Sequence, residues 1–221
     1  MTITESSPEI IVVAAALVDS YGIGYQHDLP WRIPGDWNWF QRITTKSYLN
    51  PSTNKDETVL EKESDWHNIV IMGRLSWESV PMQRKPLHNR YNIVISSQQE
   101  YNIHAVDYWE HATLANTIQE ALNQAYSMKK THGRIFVLGG EQIYRQVIEQ
   151  PHCTHILLTH IHQQNTNEKI ECDSFFPTID PTHFRLASHD ELQEFVQESV
   201  PAGLQSHHPF EYEFLLYVRR S

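Results

Sequence analysis

The chain has 221 residues, of which 27 are acidic, 17 are Lys or Arg and 14 are His, so its formal net charge at pH 7 is −10. With 40% hydrophobic and 11% aromatic residues it can bury a substantial core, which excludes disordered and fibrous classes. An acidic chain is not expected to coat nucleic acid or an anionic membrane. Two cysteines are too few for a disulfide framework, which favours a reducing compartment.

The first residues lack the features of a targeting signal. Residues 1–8 are polar, without the basic and apolar regions that a secretory leader requires. The apolar run Ile10–Val18 is about half as long as the ~20 residues of a membrane-spanning helix. We therefore expect a flexible tail over 1–8, one domain over 9–221 and a cytoplasmic location, with neither membrane nor nucleic acid as partner.

Short apolar runs predict the strands of an α/β sheet. Ile10–Val18 is continuously apolar, as in strands that are covered on both faces. Similar runs follow at Asn68–Met72, Tyr91–Ser96, Ile103–Val106, Arg134–Leu138 and His155–Ile161. A helical pattern that starts near Thr113 places Leu114, Ile118, Ala121, Leu122 and Ala125 on one face. Strands that alternate with helices predict a mainly parallel sheet flanked by helices.

The C-terminal part has a different pattern. Phe184–Ala187 and Tyr212–Val218 predict an antiparallel hairpin at the sheet edge, with a long connection that shows no obvious helix. Residues 46–67 and 193–210 are polar and long for loops, so they are interpreted as surface insertions, the first prolonging the preceding helix. The predicted fold is a single α/β domain with a central, mainly parallel mixed β-sheet and an antiparallel C-terminal hairpin.

The segment Leu29–Phe40 has the highest density of residues suited to binding. Pro34 fits the first turn of a helix, and the spacing of Asp36, Trp37 and Phe40 puts them on one helical face. A carboxylate beside two aromatic rings suits a flat, basic nitrogen heterocycle. From this pattern alone, the alternative that Asp36 favours the helix N-terminus while the rings belong to the core stays open.

Two strand-to-helix turns could face phosphate groups. Gly139-Gly140 follows an apolar strand, and Gly73-Arg74 follows another, with Ser76 close behind. By itself the diglycine is more often a tight connection, and Arg90, at the entrance to a strand, is by itself more typical of a surface charge. His152, Cys153 and His155, or His207 and His208, complete no recognisable ligand set, so no metal is predicted. The chain also lacks GxSxG and P-loop motifs.

Taken in order, short motifs along the chain resemble those of the dihydrofolate reductase family. The first group comprises Ile23-Gly24, Leu29-Pro30-Trp31, Asp36 with Phe40, Ile71–Arg74 and Ser76–Ser79. The second group comprises Pro86-Leu87 with Arg90, Asn92–Ser97, Val137–Gly140 with Ile143-Tyr144, Leu158–Ile161, Asp173 with Phe176-Pro177, and Tyr212–Phe214. The ordered set spans Ile10 to about Arg220, and the long insertions resemble those of eukaryotic, particularly fungal, members.

The resemblance implies NADPH-dependent reduction of 7,8-dihydrofolate to 5,6,7,8-tetrahydrofolate, which supplies one-carbon units for thymidylate and purine synthesis. Hydride would reach C6, and a water would protonate N5. The implied catalytic residues are Asp36, Trp31, Leu29 and Tyr144. The implied substrate contacts are Val13, Asp36, Trp37, Phe40, Val80, Leu87, Arg90, Leu138 and Thr159. The implied NADPH contacts are Ala15, Ile23, Gly24, Gly73, Arg74, Leu75, Ser76, Ser96, Ser97, Gly139, Gly140, Glu141, Gln142, Ile143 and Tyr144.

The resemblance also implies individual roles. Asp36 would bind the N3 and 2-amino groups of the pterin, with its pKa raised by desolvation and with Thr159 supporting it. Trp31 would order the water that protonates N5. Arg90 would pair with the α-carboxylate of the substrate's glutamate tail, a bidentate task that suits arginine. The loop 19–28 resembles the mobile lid of the family.

Three residues depart from the family's usual pattern. Leu75 stands where many relatives have a second basic residue and Gln98 where some have arginine, so the charge facing a 2′-phosphate rests largely on Arg74. Trp37 is larger than the usual side chain, which would change the affinity for antifolates. Expected ligands are dihydrofolate and antifolates such as methotrexate and trimethoprim, and the protein is expected to be a monomer.

Two alternatives remain at this stage. A pyrimidine reductase of riboflavin synthesis would share the fold and the cofactor turn but would not need Asp36 together with Arg90. A non-catalytic NADP-binding homologue would not need Asp36, Trp31 and both glycines of the turn.

Overall fold

In the computed structural model of the protein, the described residues are 9–48, 68–104, 110–128, 133–164 and 169–220. Their strands are β1 (Ile10–Leu17), β2 (Gly22–Gly24), β3 (Asn68–Gly73), β4 (Arg90–Ile95), β5 (Ala112–Ala115), β6 (Ile135–Val137), β7 (Cys153–Gln163), β8 (Ser174–Phe175), β9 (Phe184–Leu186), β10 (Gln205–His207) and β11 (Phe210–Arg219). The helices are α1 (Pro34–Thr45), α2 (Arg74–Ser79), α3 (Ile118–Met128), α4 (Glu141–Ile148) and α5 (His189–Val196), with a 3₁₀ helix at Met82–Arg84. None of these helices has the length and apolar character needed to cross a bilayer.

The main sheet has the strand order β10-β11-β7-β1-β6-β3-β4-β5, and β9 also pairs with β11. The strands from β7 to β5 pair in parallel, whereas β11 runs antiparallel to β7, β9 and β10. A second, small sheet joins β2 to β8. The prediction of a mainly parallel mixed sheet with antiparallel C-terminal strands is therefore confirmed.

The core lies on both faces of the sheet, which explains why β1 is apolar at every position. Ile11 and Val13 point towards the cluster that contains Trp39 of α1. Ile10 and Val12 point to the opposite face, where α3 and α4 pack through residues such as Leu122 and Val147. Successive side chains of a strand alternate between faces, so two apolar layers require an unbroken apolar strand.

The predictions for residues 103–125 are partly wrong. Ile103 and His104 lie in a turn rather than in a strand, and 105–109 fall outside the described residues. The edge strand is β5, which includes Thr113 and Leu114, and the helix begins only at Ile118. Leu114 pairs with Val94 of β4, and the Thr117 hydroxyl accepts the N–H of Glu120 at 3.1 Å, which marks the true helix start.

The C-terminal connection also differs from its prediction, because it contains α5 and β10. Ser188 and Glu191 form a capping box at the start of α5, and Leu192, Val196 and Val200 are buried. Residues 193–210 are therefore only partly a surface segment. Helix α1 ends at Thr45, so Lys46 does not prolong it, and the rest of the first insertion, 49–67, lies outside the described residues.

Gly35, in the first turn of α1, has no room for a side chain. A Cβ at this position would overlap the hydroxyl of Tyr212 on β11. We expect Gly35→Ala to lower the free energy of unfolding by about 1–3 kcal/mol, although alanine otherwise favours a helix. Urea denaturation would measure the loss. Adding Tyr212→Phe removes the overlapping oxygen and should recover part of the loss; a double variant no more stable than Gly35→Ala would contradict this account.

Candidate active site

A cavity of about 980 Å³ opens along the edge of the sheet where β3, β4, β5 and β6 end. Its wall extends from Asp36 and Thr159 at the β1–β7 side to Ser97 and Asn116 at the β4–β5 side. The carboxyl edge of a parallel sheet is where α/β proteins bind their ligands, because the strand-to-helix loops meet there. Residues of six strands (β1, β2, β3, β4, β7 and β8) and the starts of four helices (α1 to α4) therefore contribute to one site.

Asp36 is placed in the cavity wall by the start of α1. Pro34 occupies the first turn of this helix, as predicted, and Asp36 is the acidic residue of that turn. The hydroxyl of Thr159, buried on β7, donates to Oδ1 of Asp36 at 2.7 Å. The rings of Trp37 and Phe40 lie 5.3 Å apart on the same helix and also line the cavity. An anionic group and two aromatic rings thus face the same space.

Burial raises the pKa of Asp36 to about 6, and the hydrogen bond from Thr159 opposes that rise only in part. The described residues place no cation against Asp36 to form an ion pair. The other carboxylates of the cavity wall already have partners, in the pairs Asp28–Arg32 and Glu141–Arg145 and in the bond from the Gln26 N–H to Asp173. Asp36 is therefore the wall carboxylate available to the N–H groups of a ligand.

The raised pKa of Asp36 predicts how the stability of the fold changes with pH. The folded protein holds a proton on Asp36 up to about pH 6 and the unfolded chain only up to about pH 4, so ionisation destabilises the fold as pH rises between them. We expect Asp36→Asn to be more stable than the parent by up to about 3 kcal/mol at pH 7, with the difference disappearing near pH 4. Urea denaturation across this range would measure it. A difference that does not change with pH would contradict the assignment.

Tyr144 of α4 lies under the strand-to-helix turn 139–140. Its hydroxyl donates to the carbonyl of Val13 on β1 at 2.7 Å, and its ring lies beside Gly139, which has φ +106°. Burial raises the pKa of Tyr144, so the hydroxyl remains a proton donor. The Val13 carbonyl, in a residue that the resemblance assigns to the substrate, thus already accepts one hydrogen bond.

Two strand-to-helix turns meet at the middle of the cavity. The N–H of Gly73 donates to the carbonyl of Gly139 at 2.7 Å, which joins the turn before α2 to the turn before α4. In α4 the first bonds run from Ile143 and Tyr144 to the carbonyl of Gly140. The N–H groups of the two preceding helical residues are therefore free of intrahelical partners, as at any helix start. Such a turn, with Arg74 and Ser76 nearby, can hold an anionic group.

Most residues that the sequence assigned to the site line this cavity. They are Val13, Ala15, Ile23, Gly24, Leu29, Asp36, Trp37, Phe40, Gly73, Arg74, Leu75, Ser76, Val80, Leu87, Ser96, Ser97, Leu138, Gly140, Glu141, Gln142, Ile143, Tyr144 and Thr159. Three do not. Gly139 lies behind Gly140 against Tyr144, while Trp31 and Arg90 are 3% and 2% exposed. The side chains of Trp31 and Arg90 are therefore buried and do not form part of the wall.

Trp31 and Arg90 are buried in unusual ways. The indole N–H of Trp31 has no hydrogen-bond partner in the described part of the chain. Arg90 donates to Thr44 at 2.7 Å and to Gln41 at 2.9 Å, and none of the described carboxylates pairs with it. Burial lowers the pKa of Arg90 to about 10, so it remains charged at neutral pH. Each side chain has bonding capacity that the described residues leave unused.

Sequence reasoning missed several wall residues at the two ends of the cavity. At the β2 side the wall includes His27, and at the β4–β5 side it includes Asn116 and Thr117. The last two were missed because β5 was taken as helix, which hid the β5–α3 turn. A Thr followed three residues later by Glu, as in Thr117–Glu120, is the signal that would have located this turn.

The loop 19–28, which resembles a lid, is attached to the segment around β8. β2 pairs with β8, and the N–H of Gln26 donates to Asp173 at 2.8 Å. The N–H of Phe175 donates to Glu141 at 2.8 Å, which links β8 to the start of α4. These contacts hold Ile23 and Gly24 at the cavity wall.

Comparison with known proteins identifies the family. The family model for dihydrofolate reductase matches residues 54–208. Dihydrofolate reductase of Candida albicans is 32% identical over 217 residues, covering 97% of this chain and 100% of the relative. That of Pneumocystis carinii is 30% identical over 220 residues, covering 95% and 96%. The solved structure of Schistosoma mansoni dihydrofolate reductase superposes with a TM-score of 0.71 at 25% identity, over 96% of this chain and 99% of that one. Because these similarities extend over nearly the whole chain, this protein belongs to the dihydrofolate reductase family of oxidoreductases.

Proposed function

We propose that this cavity binds 7,8-dihydrofolate beside NADPH, which when bound supplies the hydride that reaches C6 of the pterin. The observation that carries the proposal is Asp36, a buried carboxylate that lines the cavity together with the rings of Trp37 and Phe40, supported by Thr159 and without a cationic partner among the described residues. Its two oxygens match the adjacent N3 and 2-amino groups of the pterin. A volume of about 980 Å³ is large enough for both ligands.

Orientation is the main contribution of the chain to this reaction. Asp36 would hold one edge of the pterin, while Phe40, Trp37 and Leu29 would enclose its faces. A ring held in this way has little freedom to turn away from the cofactor, which lowers the entropic part of the barrier. The Asp36 carboxylate also favours positive charge on the ring as it accepts a proton.

The proton for N5 would come from water. Asp36, which holds the opposite edge of the ring, is too far from N5 to protonate it directly. The buried indole N–H of Trp31 needs an acceptor, and a water molecule at this position would satisfy it. Trp31 would thus act as a positioning residue for the proton donor.

Arg90 would hold the glutamate tail of the substrate. Its guanidinium lies 5.6 Å from the ring of Phe40, which lines the cavity. A buried cation that has only neutral partners among the described residues gains most from an incoming carboxylate. Breaking the bond to Gln41 would free a guanidinium N–H of Arg90, which could then donate to the substrate carboxylate.

The residues around the two joined turns fit a dinucleotide. The start of α4 presents backbone N–H groups, and Arg74, Ser76 and Ser97 add a cation and two hydroxyls. Gly140 allows the turns to approach closely, since a Cβ there would lie 3.3 Å from the Ser76 hydroxyl. Ala15 and Ile23 would meet the nicotinamide carboxamide through backbone groups.

The proposal is tested by following NADPH oxidation when dihydrofolate is added to the purified protein. Turnover supports it, and absence of turnover in a folded sample contradicts it. A pyrimidine substrate of riboflavin synthesis, assayed in parallel, tests the main alternative. Methotrexate should raise the melting temperature in the parent and much less in Asp36→Asn, because a ligand stabilises only the state it binds. We further propose that the enzyme acts as a monomer in the cytoplasm, where its two unpaired thiols would stay reduced.

A further inference from the structure

The charge on the cavity wall is unusual for a site that takes a multiply charged dinucleotide. Of the described residues that line the cavity, Arg74 is the sole Lys or Arg, whereas Asp28, Asp36, Glu141 and Asp173 are acidic. The whole chain carries a formal charge of −10. Within the part of the wall that the structure describes, positive charge available to phosphate groups is therefore scarce.

Arg74 already forms an ion pair with a neighbouring carboxylate. Its Nη1 donates to both carboxylate oxygens of Glu78, one turn further along α2, at 3.0 and 2.9 Å. The guanidinium also lies 5.9 Å from the ring of Tyr101. A second anion near this pair would meet a cation whose charge is partly offset by Glu78.

Among the described residues, the cavity wall beside β4 and β5 offers only neutral groups. Four interstrand spacings of about 4.8 Å separate β1 from β5, a span of about 19 Å. With its reacting ring at the Asp36 side, an extended dinucleotide would place its adenosine near Ser97, Gln98 and Asn116. The amide and N–H of Asn116 donate to Glu120 at 3.2 and 2.8 Å, which puts a carboxylate beside this end.

We infer that the site discriminates weakly between NADPH and NADH, with dissociation constants that differ by no more than about tenfold. An exposed and screened ion pair adds a factor of about five at most, and Arg74 shares its charge with Glu78. The inference rests on the proposed function and concerns the same site. It also assigns a specificity-determining position to Leu75, which is 44% exposed at the cavity wall next to Arg74.

Calorimetric titration of the parent with NADPH and with NADH, at physiological ionic strength, tests the inference without depending on turnover. We expect a ratio of dissociation constants, NADH over NADPH, of at most about ten. Leu75→Lys should raise this ratio about fivefold by adding an unpaired cation. Leu75→Gln, similar in length but neutral, is the matched control and should leave the ratio unchanged. Since Leu75 is exposed, neither variant should disturb folding.

A ratio well above about tenfold in the parent would overturn the inference and leave the proposed function intact. An unchanged ratio in Leu75→Lys would overturn the role of that position. Failure of both dinucleotides to bind, in a sample that methotrexate still stabilises, would overturn the inference together with the cofactor part of the proposed function. If neither the two dinucleotides nor methotrexate bind, the proposed function itself is rejected.

Discussion

Replacing Asp36 by Asn should lower kcat/KM for dihydrofolate by about 10²- to 10³-fold. The substitution keeps the shape of the side chain and the bond from Thr159, but it removes the charge that faces the pterin. Loss of one preorganised electrostatic contact in a water-poor site has an effect of this size. Initial rates of NADPH oxidation at varied dihydrofolate concentration would measure it.

A matched control separates this effect from a general change in charge. Asp180→Asn removes the same charge at an exposed position outside the cavity wall, so kcat/KM should stay close to that of the parent. Together with the stability measurement, we expect Asp36→Asn to have a higher free energy of unfolding at pH 7 and a much lower kcat/KM than the parent. An Asp36→Asn enzyme with activity within about threefold of the parent would refute the electrostatic role.

Replacing Gly139 by Ala should lower the free energy of unfolding by about 3 kcal/mol or more. The backbone at Gly139 has φ +106°, which an alanine adopts at a cost of about 1–3 kcal/mol. A Cβ would also approach ring atoms of Tyr144 to 2.8 Å, and this ring is buried and held by its bond to Val13. Overpacking of this kind adds about 1–3 kcal/mol. Urea denaturation of parent and variant would measure the difference.

Gly203→Ala provides the control for the backbone contribution alone. Gly203 also has a positive φ, +65°, but a Cβ there would have no atom within 4 Å. We therefore expect it to lose about 1 kcal/mol, well below the loss for Gly139→Ala. Equal losses of unfolding free energy in the two variants would contradict the steric part of this account, because they would show that the Tyr144 ring moves aside at no cost.

The sequence alone determined the layered architecture and the chemical centre of the site. Continuous apolar runs such as Ile10–Leu17 identify strands covered on both faces, because burial on two sides leaves no polar position. The local spacing of Pro34, Asp36, Trp37 and Phe40 predicts one helical face, since helical periodicity is a local property. Short, weakly apolar elements were harder to predict. β5 has four residues and α5 only two core residues, Leu192 and Val196, so their patterns match more than one structure.

Only the tertiary structure decided the contacts between distant parts of the chain. Thr159 reaches Asp36 from 123 positions away, and Tyr144 reaches Val13 from 131 positions away, because β7, β1 and α4 become neighbours in the fold. The burial of Trp31 and Arg90 and the pairing of Arg74 with Glu78 likewise depend on which side chains surround them. Composition and spacing specify which groups a chain carries. Solvent exclusion and the unpaired or paired state of each charge arise only when the sheet brings those groups together.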